Sequence, residues 1–382
     1  MPCKLTDAQR ARLAERSVIR QDNFGDVDLP RLPEIPGMSS VAEGRYLYWL
    51  TSRGYTGCGA VVEIGPWLGR STVHLAAGLR DAGHHDVLHT FDRFVWDASH
   101  AAKLKRKGAS LPLVPGDDFR PVLERNVRAV YPGLHVHRSE IRELVWDGGP
   151  VEILFLDAPK RLPQISATLA AFGPSLIPGV SVIAMQDYQH FPSYALATVL
   201  STLGDRLEPI HVVDEGSIVT MSVRAPLEVH DAQPLDFNFK AWSKERALAA
   251  WERILEPLPP AARERLEPGI TMLLHDLGAV DEACRIVREL QARRPMTQRW
   301  QKHAGTSLYD RYRPLFEAAG CEPGPGRGGA DTGRGKEGPQ TRVGRGRAAY
   351  LKSRSVARRF LEMMGIWEPR AAVAARPRDQ EG

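Results

Sequence analysis

Between residues 39 and 226 short apolar runs alternate with stretches in helical spacing, and no other feature restricts the fold as strongly. The runs fall at 60–65, 87–92, 134–138, 151–157, 180–186, 207–213 and 217–224. Strands joined through helices lie parallel, and a parallel sheet must be covered on both faces. The expected fold is therefore α/β, a doubly wound, mostly parallel sheet of seven strands. Only Asp214, Glu215 and Gly216 separate the last two runs, too few residues for a crossover, so that pair is expected as an antiparallel hairpin at one end of the sheet.

Composition divides the rest of the chain. Residues 1–38 form an N-terminal arm: one short helical pattern, then "DLPRLPEIPG", in which each proline disfavours helix at and before it. Residues 227–320 lose the strand signal and place Trp242, Leu248, Trp251 and Leu255 on one helical face, the pattern of a helical appendage. Residues 321–347 are rich in Gly, Pro and Arg and read as a flexible linker, and 348–382 as a basic amphipathic tail. Residues 321–382 hold 13 Lys+Arg against 7 Asp+Glu, which leaves 38 against 39 for the remainder, so the net charge of +5 belongs to the tail. Such a tail suits an acidic partner, whereas nucleic acid is disfavoured because the tail lacks the aromatic residues of RNA readers. No window reaches the roughly 18 apolar residues of a transmembrane segment, and a cytoplasmic location is expected. Cys3, Cys58, Cys284 and Cys321 lack metal-site spacing and are read as reduced thiols.

The first strand of the alternating region runs into "EIGPWLGRST", Glu63 to Thr72, and then into an amphipathic helix. A turn of the form E-x-G-x-x-x-G lets backbone approach a ligand closely, because glycine has no Cβ and accepts positive φ, and the helix N-terminus beyond it offers free N–H groups. The second strand ends at Asp92, 27 residues after Gly65. A carboxylate there accepts hydrogen bonds from the two hydroxyls of a ribose, which points to an adenosyl compound. The turn is neither the G-x-G-x-x-G of dinucleotide binders nor a triphosphate loop.

Together "EIGPWLGRST", "TFDRF", "VEILFLDAPK" and "VIAMQDY" resemble, in order and spacing, the class I S-adenosylmethionine-dependent methyltransferases, and more narrowly the small-molecule and sugar O-methyltransferases, over roughly residues 39–226. The resemblance implies a Rossmann-like methyltransferase fold. It implies that Glu63, Gly65, Gly69 and Ser71 surround the methionine end of S-adenosylmethionine, that Asp92 holds the ribose and that Ser139 or Glu140 lies near the adenine. Asp157, at the end of the fourth strand, is counted with the cofactor contacts.

Asp157 and Asp187 are expected at the carboxyl ends of adjacent central strands, where open α/β sheets carry their sites. Two carboxylates there suit Mg²⁺, which would orient an acceptor's hydroxyls. Pro159, Lys160 and Gln186 depart from the pattern of metal-dependent relatives, so metal-free transfer stays open. The candidate general bases are Asp187, His190 and Lys160, the last only as a neutral amine. The function expected is methyl transfer to a hydroxyl of a small-molecule or saccharide acceptor, with residues 93–118, including "KLKRKG", shaping its pocket. A homo-oligomer is compatible with this reading. The rival is a non-catalytic binding or assembly protein that keeps the cofactor fold and works through the appendage and tail.

Overall fold

The structure, a computed structural model, describes residues 4–227, 242–294, 300–301 and 306–321, with the side chain of residue 307 left aside. The basic tail and all but the first residue of the Gly/Pro/Arg segment lie outside the described residues. The chain divides into two compact units: one takes in residues up to 94 and resumes at 119, and the other includes 95–118.

The first unit is built on eight strands, not seven: Arg20–Asp22 (β1), Ala60–Ile64 (β2), Leu88–Asp92 (β3), Leu134–Arg138 (β4), Val151–Leu156 (β5), Val182–Met185 (β6), Leu207–Val213 (β7) and Val219–Val223 (β8). Their order is β1-β7-β8-β6-β5-β2-β3-β4. The pairs β2/β3, β2/β5, β3/β4 and β5/β6 are parallel, and β8 runs antiparallel to both β6 and β7. The hairpin is therefore present but does not end the sheet. The extra strand β1 comes from the N-terminal arm and pairs in parallel with β7, covering the edge the hairpin would otherwise expose. Three polar residues, Arg20, Gln21 and Asp22, carry no alternation that marks them as a strand.

The switch point lies between β2 and β5, because the chain lays β3 and β4 to one side of β2 and β5 and β6 to the other. Both central strands are apolar: β5 is buried at all six positions and β2 at four of five. Helices Val41–Ser52 (α2) and Arg70–Asp81 (α3) pack closely together, so closely that a Cβ on Gly78 would lie 2.6 Å from the Tyr48 carbonyl oxygen. Helix α2 starts with a capping box between Ser40 and Glu43. Leu162–Phe172 (α6) and Tyr194–Ser201 (α7) help cover the sheet on the side of β5 and β6.

The C-terminal helices include Lys244–Leu255, Gly269–Asp276 and Val280–Arg293. Trp251, Leu273, Leu290 and Phe316 belong to the same buried cluster as Ile64, Leu154 and Met185 of the sheet, so these helices share its core. Tyr194 of α7 donates to Asp276 and reinforces the join.

The arm is tied down by a buried ion pair. Arg16, in helix Asp7–Ser17 (α1), meets Glu152 of β5 at 2.6 Å, with both side chains at most 1% exposed. Glu152 also accepts from Thr56 N–H at 2.7 Å, the Thr56 hydroxyl at 2.9 Å and Cys58 N–H at 2.8 Å. Cys58 is disulfide-bonded, which corrects the expectation of four reduced thiols. Cys284 and Cys321 take no part in a disulfide. No helix among the described residues is long and apolar enough to cross a membrane.

Within the second unit, Val95 and Asp118 form an antiparallel bridge, and Trp96 and Gly116 close it through Trp96 N–H to Asp117 O at 2.8 Å and Gly116 N–H to Trp96 O at 2.9 Å. "KLKRKG" is largely helical here, in Ala98–Arg106 (α4), which Asp97 caps through the N–H groups of Ser99 and His100.

Candidate active site

The strand ends are laced together by backbone hydrogen bonds that continue past the last paired residues. Gly65 N–H donates to Phe91 O at 2.9 Å, Ser139 N–H to Asp92 O at 2.9 Å, Asp157 and Ala158 N–H both to Ile64 O at 3.0 Å, and Gln186 N–H to Leu156 O at 2.9 Å. Gly65, Asp92, Ser139, Asp157 and Asp187 thus stand along one carboxyl edge, across the switch point.

The glycine turn is left-handed at three alternate residues: Gly65 (φ 93°), Trp67 (φ 44°) and Gly69 (φ 95°). Its glycines are also required by packing. A Cβ on Gly65 would lie 2.5 Å from the Ala158 side chain, and one on Gly69 would lie 2.8 Å from Val127 and 2.9 Å from Leu123. Val127 and Leu123 sit on helix Arg120–Arg128 (α5), whose Asn126 donates to Leu68 O at 2.8 Å and fastens the turn. Asn126 was not singled out in the sequence, since nothing local marks a helical Asn as a clasp for a loop 58 residues away. From the other side, Arg70 donates to Ile35 O at 3.1 Å, bringing the arm to the start of α3.

Glu63 is fully buried beneath the turn. Its two oxygens accept from Ser71 Oγ at 2.5 Å and Thr72 Oγ1 at 2.6 Å. Burial pushes its pKa up to about 7, with Asp157 and Asp92 adding repulsion, although the two hydroxyls favour the charged form. Glu63 therefore bolts the strand to α3, and the Ser71 proton points inward to that carboxylate. Helix α3 begins at Gly69 with no side-chain cap, so its first-turn N–H groups are not consumed by one.

Asp92 accepts from Phe94 N–H at 2.9 Å, and burial raises its pKa. A carboxyl in that state gains from two further hydroxyl donors, which is what a ribose supplies. Ser139 donates through Oγ to Glu140 O at 3.0 Å, while the Glu140 side chain is exposed. The bare turn, the uncapped helix start and the desolvated Asp92 fit an adenosyl ligand.

Beyond the ends of β5 and β6 lies a three-group cluster. The Lys160 ammonium is ion-paired to Asp187 and lies 3.8 Å from Asp157 Oδ1. Burial works to lower the Lys160 pKa, but Asp187 and Asp157 outweigh it and the net shift is upward. Lys160 is consequently a fixed cation, which corrects its candidacy as a neutral base. His190 is exposed, with its N–H donated to Asp187 O at 3.0 Å and its ring 6.1 Å from Phe191.

Asp187 itself takes a left-handed conformation (φ 63°), a state that costs a non-glycine residue about 1–3 kcal/mol unless its surroundings enforce it. The enforcing network is partly buried. Asp187 N–H donates to Ser217 Oγ at 3.2 Å, and Ser217 Oγ donates to Glu43 Oε1 at 2.9 Å. Glu43 also accepts from Gln186 Nε2 at 2.8 Å, Ser217 N–H at 2.7 Å and Ser40 N–H at 2.6 Å. No local pattern in the sequence marks this use of Glu43, which depends on partners 143 and 174 residues away.

The donor set does not fit Mg²⁺ at Asp157 and Asp187. Mg²⁺ demands near-octahedral oxygen ligation, and among the described residues no group of three His, Cys, Asp or Glu could hold a metal ion. An ion about 4 Å from the Lys160 ammonium would meet a repulsion of roughly 8 kcal/mol at an effective dielectric of about 20.

This edge lies at the switch point of a mostly parallel sheet, the place where open α/β sheets carry their ligands. Residues 62–188, about a third of the chain, match the family model described as a methyltransferase domain. No curated relative matches the chain significantly. Among solved structures it is similar to CalS11, a calicheamicin methyltransferase (15% identity, 47% of this chain and 76% of that one, TM-score 0.33). It is also similar to the SAH-bound Podospora anserina methyltransferase PaMTH1 (13% identity, 59% and 91%, TM-score 0.30) and to the 23S rRNA methyltransferase ErmE (15% identity, 69% and 91%, TM-score 0.23).

Proposed function

We propose that the protein transfers the methyl group of S-adenosylmethionine to a hydroxyl of a small-molecule or saccharide acceptor. One observation carries the reading: the Ile64 carbonyl accepts from both Asp157 and Ala158, so the glycine turn and the Asp157–Lys160–Asp187 cluster are anchored on one backbone junction. A methyl donor held on the turn would lie beside carboxylates able to receive a hydroxyl proton.

When bound, the cofactor supplies a methyl carbon already activated by a sulfonium. The chain's residues then hold and orient. Asp92 takes the ribose hydroxyls, the backbone of residues 65–69 and the start of α3 take the methionine end, and Ser139 lies on the adenine side. Asp187 would take the proton of the acceptor hydroxyl whose oxygen receives the methyl group. Lys160 keeps that carboxylate aimed and balances its charge. Most of the acceleration comes from holding donor and oxygen at attack distance, with the base adding about 10²–10⁴-fold.

The test is methyl transfer from radiolabelled S-adenosylmethionine to a panel of sugars, nucleotide sugars and phenols, with amines and thiols as controls. Label in hydroxyl acceptors, lost in Asp187→Asn, supports the reading. Label in amine or thiol acceptors alone contradicts it.

A further inference from the structure

We infer that the Lys160 ammonium is the built-in cation of the acceptor site, standing where a divalent metal would bridge Asp157 and Asp187, so that this site takes no metal. The inference rests on the reading of this edge as the acceptor site and goes beyond it by naming what neutralises its two carboxylates. Its basis is the geometry of three groups. Asp157 ends β5, Asp187 follows β6, and the two strands are hydrogen-bonded neighbours, so the carboxylates face a shared space at the sheet edge. Lys160, three residues beyond Asp157, spans that space and pairs with both.

The lysine is held there by the chain around it. The Lys160 and Arg161 N–H groups donate to Gln164 Oε1 at 3.3 and 3.2 Å, which closes the turn into α6 and directs residue 160 from the end of β5 toward β6. On the opposite side Ser217 fixes the Asp187 backbone in its left-handed conformation. Neither carboxylate is therefore free to turn both oxygens toward an incoming ion without giving up the ammonium.

A compact ammonium is a point charge with three rotatable donors, whereas a divalent metal has a coordination sphere that two vicinal oxygens can complete. A lysine-based site therefore does not need a chelating acceptor. A single hydroxyl that approaches Asp187 can receive the remaining N–H of Lys160, so an acceptor lacking a neighbouring hydroxyl should be used as well as one possessing it.

Two probes test the inference on the full-length protein: Mn²⁺, followed by electron paramagnetic resonance, and S-adenosylhomocysteine, followed by calorimetry. The wild type should bind no Mn²⁺ below millimolar concentration. Lys160→Ala and Lys160→Gln should each gain Mn²⁺ binding by at least tenfold, and Asp187→Asn added to either should abolish the gain. S-adenosylhomocysteine affinity should change less than about threefold in all of them, which also reports that the variants are folded. Micromolar Mn²⁺ binding to the wild type that disappears in Asp187→Asn would overturn the inference, as would failure of both folded Lys160 variants to gain any. Loss of S-adenosylhomocysteine binding in the wild type would count against the functional reading instead, and the Mn²⁺ result would still decide the metal question.

Discussion

Glu63 is a carboxyl wholly inside the protein whose pKa is pushed up to about 7 from an ordinary 4.5, first by burial. Because the folded-state value lies above the unfolded one, the native protein holds an extra proton between those values. Its stabilising effect is complete below pH 4.5 and declines as pH rises toward 7. Glu63→Gln, which cannot lose a proton, should show a flatter difference in urea midpoint between pH 5 and pH 8 than the wild type; an unchanged difference would contradict this. At Asp187 the expectation is catalytic: Asp187→Asn should lower kcat by about 10²–10⁴-fold with S-adenosylhomocysteine affinity preserved. The family resemblance made Glu63 visible as a candidate, and positions at strand ends did so for Asp92 and Asp187. They did not reveal the charge state of Lys160, because a lysine's protonation depends on which carboxylates the fold brings to it.

The turns at the strand ends carry the site. The β-branched, apolar runs of β2 and β5 were legible because burial on both faces leaves a continuous apolar signature. Helix α4 was hidden in a lysine-rich stretch that looks like a solvated loop until Asp97 is recognised as its cap. Gly65→Ala should disrupt the turn twice over, through φ at 93° and a Cβ 2.5 Å from Ala158. A loss of stability of about 1–3 kcal/mol and at least tenfold weaker S-adenosylhomocysteine binding are expected, measured by urea denaturation and calorimetry. Ser217→Ala removes the acceptor for Asp187 N–H but leaves the carboxylate in place. It should lower kcat more than it raises the cofactor Kd, and equal effects on both would argue that the network only stabilises the fold.

Across the whole molecule the N-terminal arm is part of the fold's frame, contributing β1 to the sheet edge and Arg16 to its interior. Arg16→Met leaves Glu152 buried without its cation and should cost about 3–5 kcal/mol in a urea titration; a cost below 1 kcal/mol would contradict the assignment. The arm was legible as an arm but not as a strand, since β1 exists only through its pairing with β7, about 190 residues later. Acid should weaken the protein from another direction: burial holds His211 at about 4, so its stabilising effect falls away as pH drops from 6.5 toward 4. If the carboxyl edge around Gly65 and Asp92 holds an adenosyl cofactor, calorimetric titration of S-adenosylhomocysteine will distinguish the wild type from Asp92→Ala. Micromolar binding to the wild type, weakened at least tenfold in a folded Asp92→Ala, is the predicted result; no binding to the wild type, or equal binding to both, would contradict it.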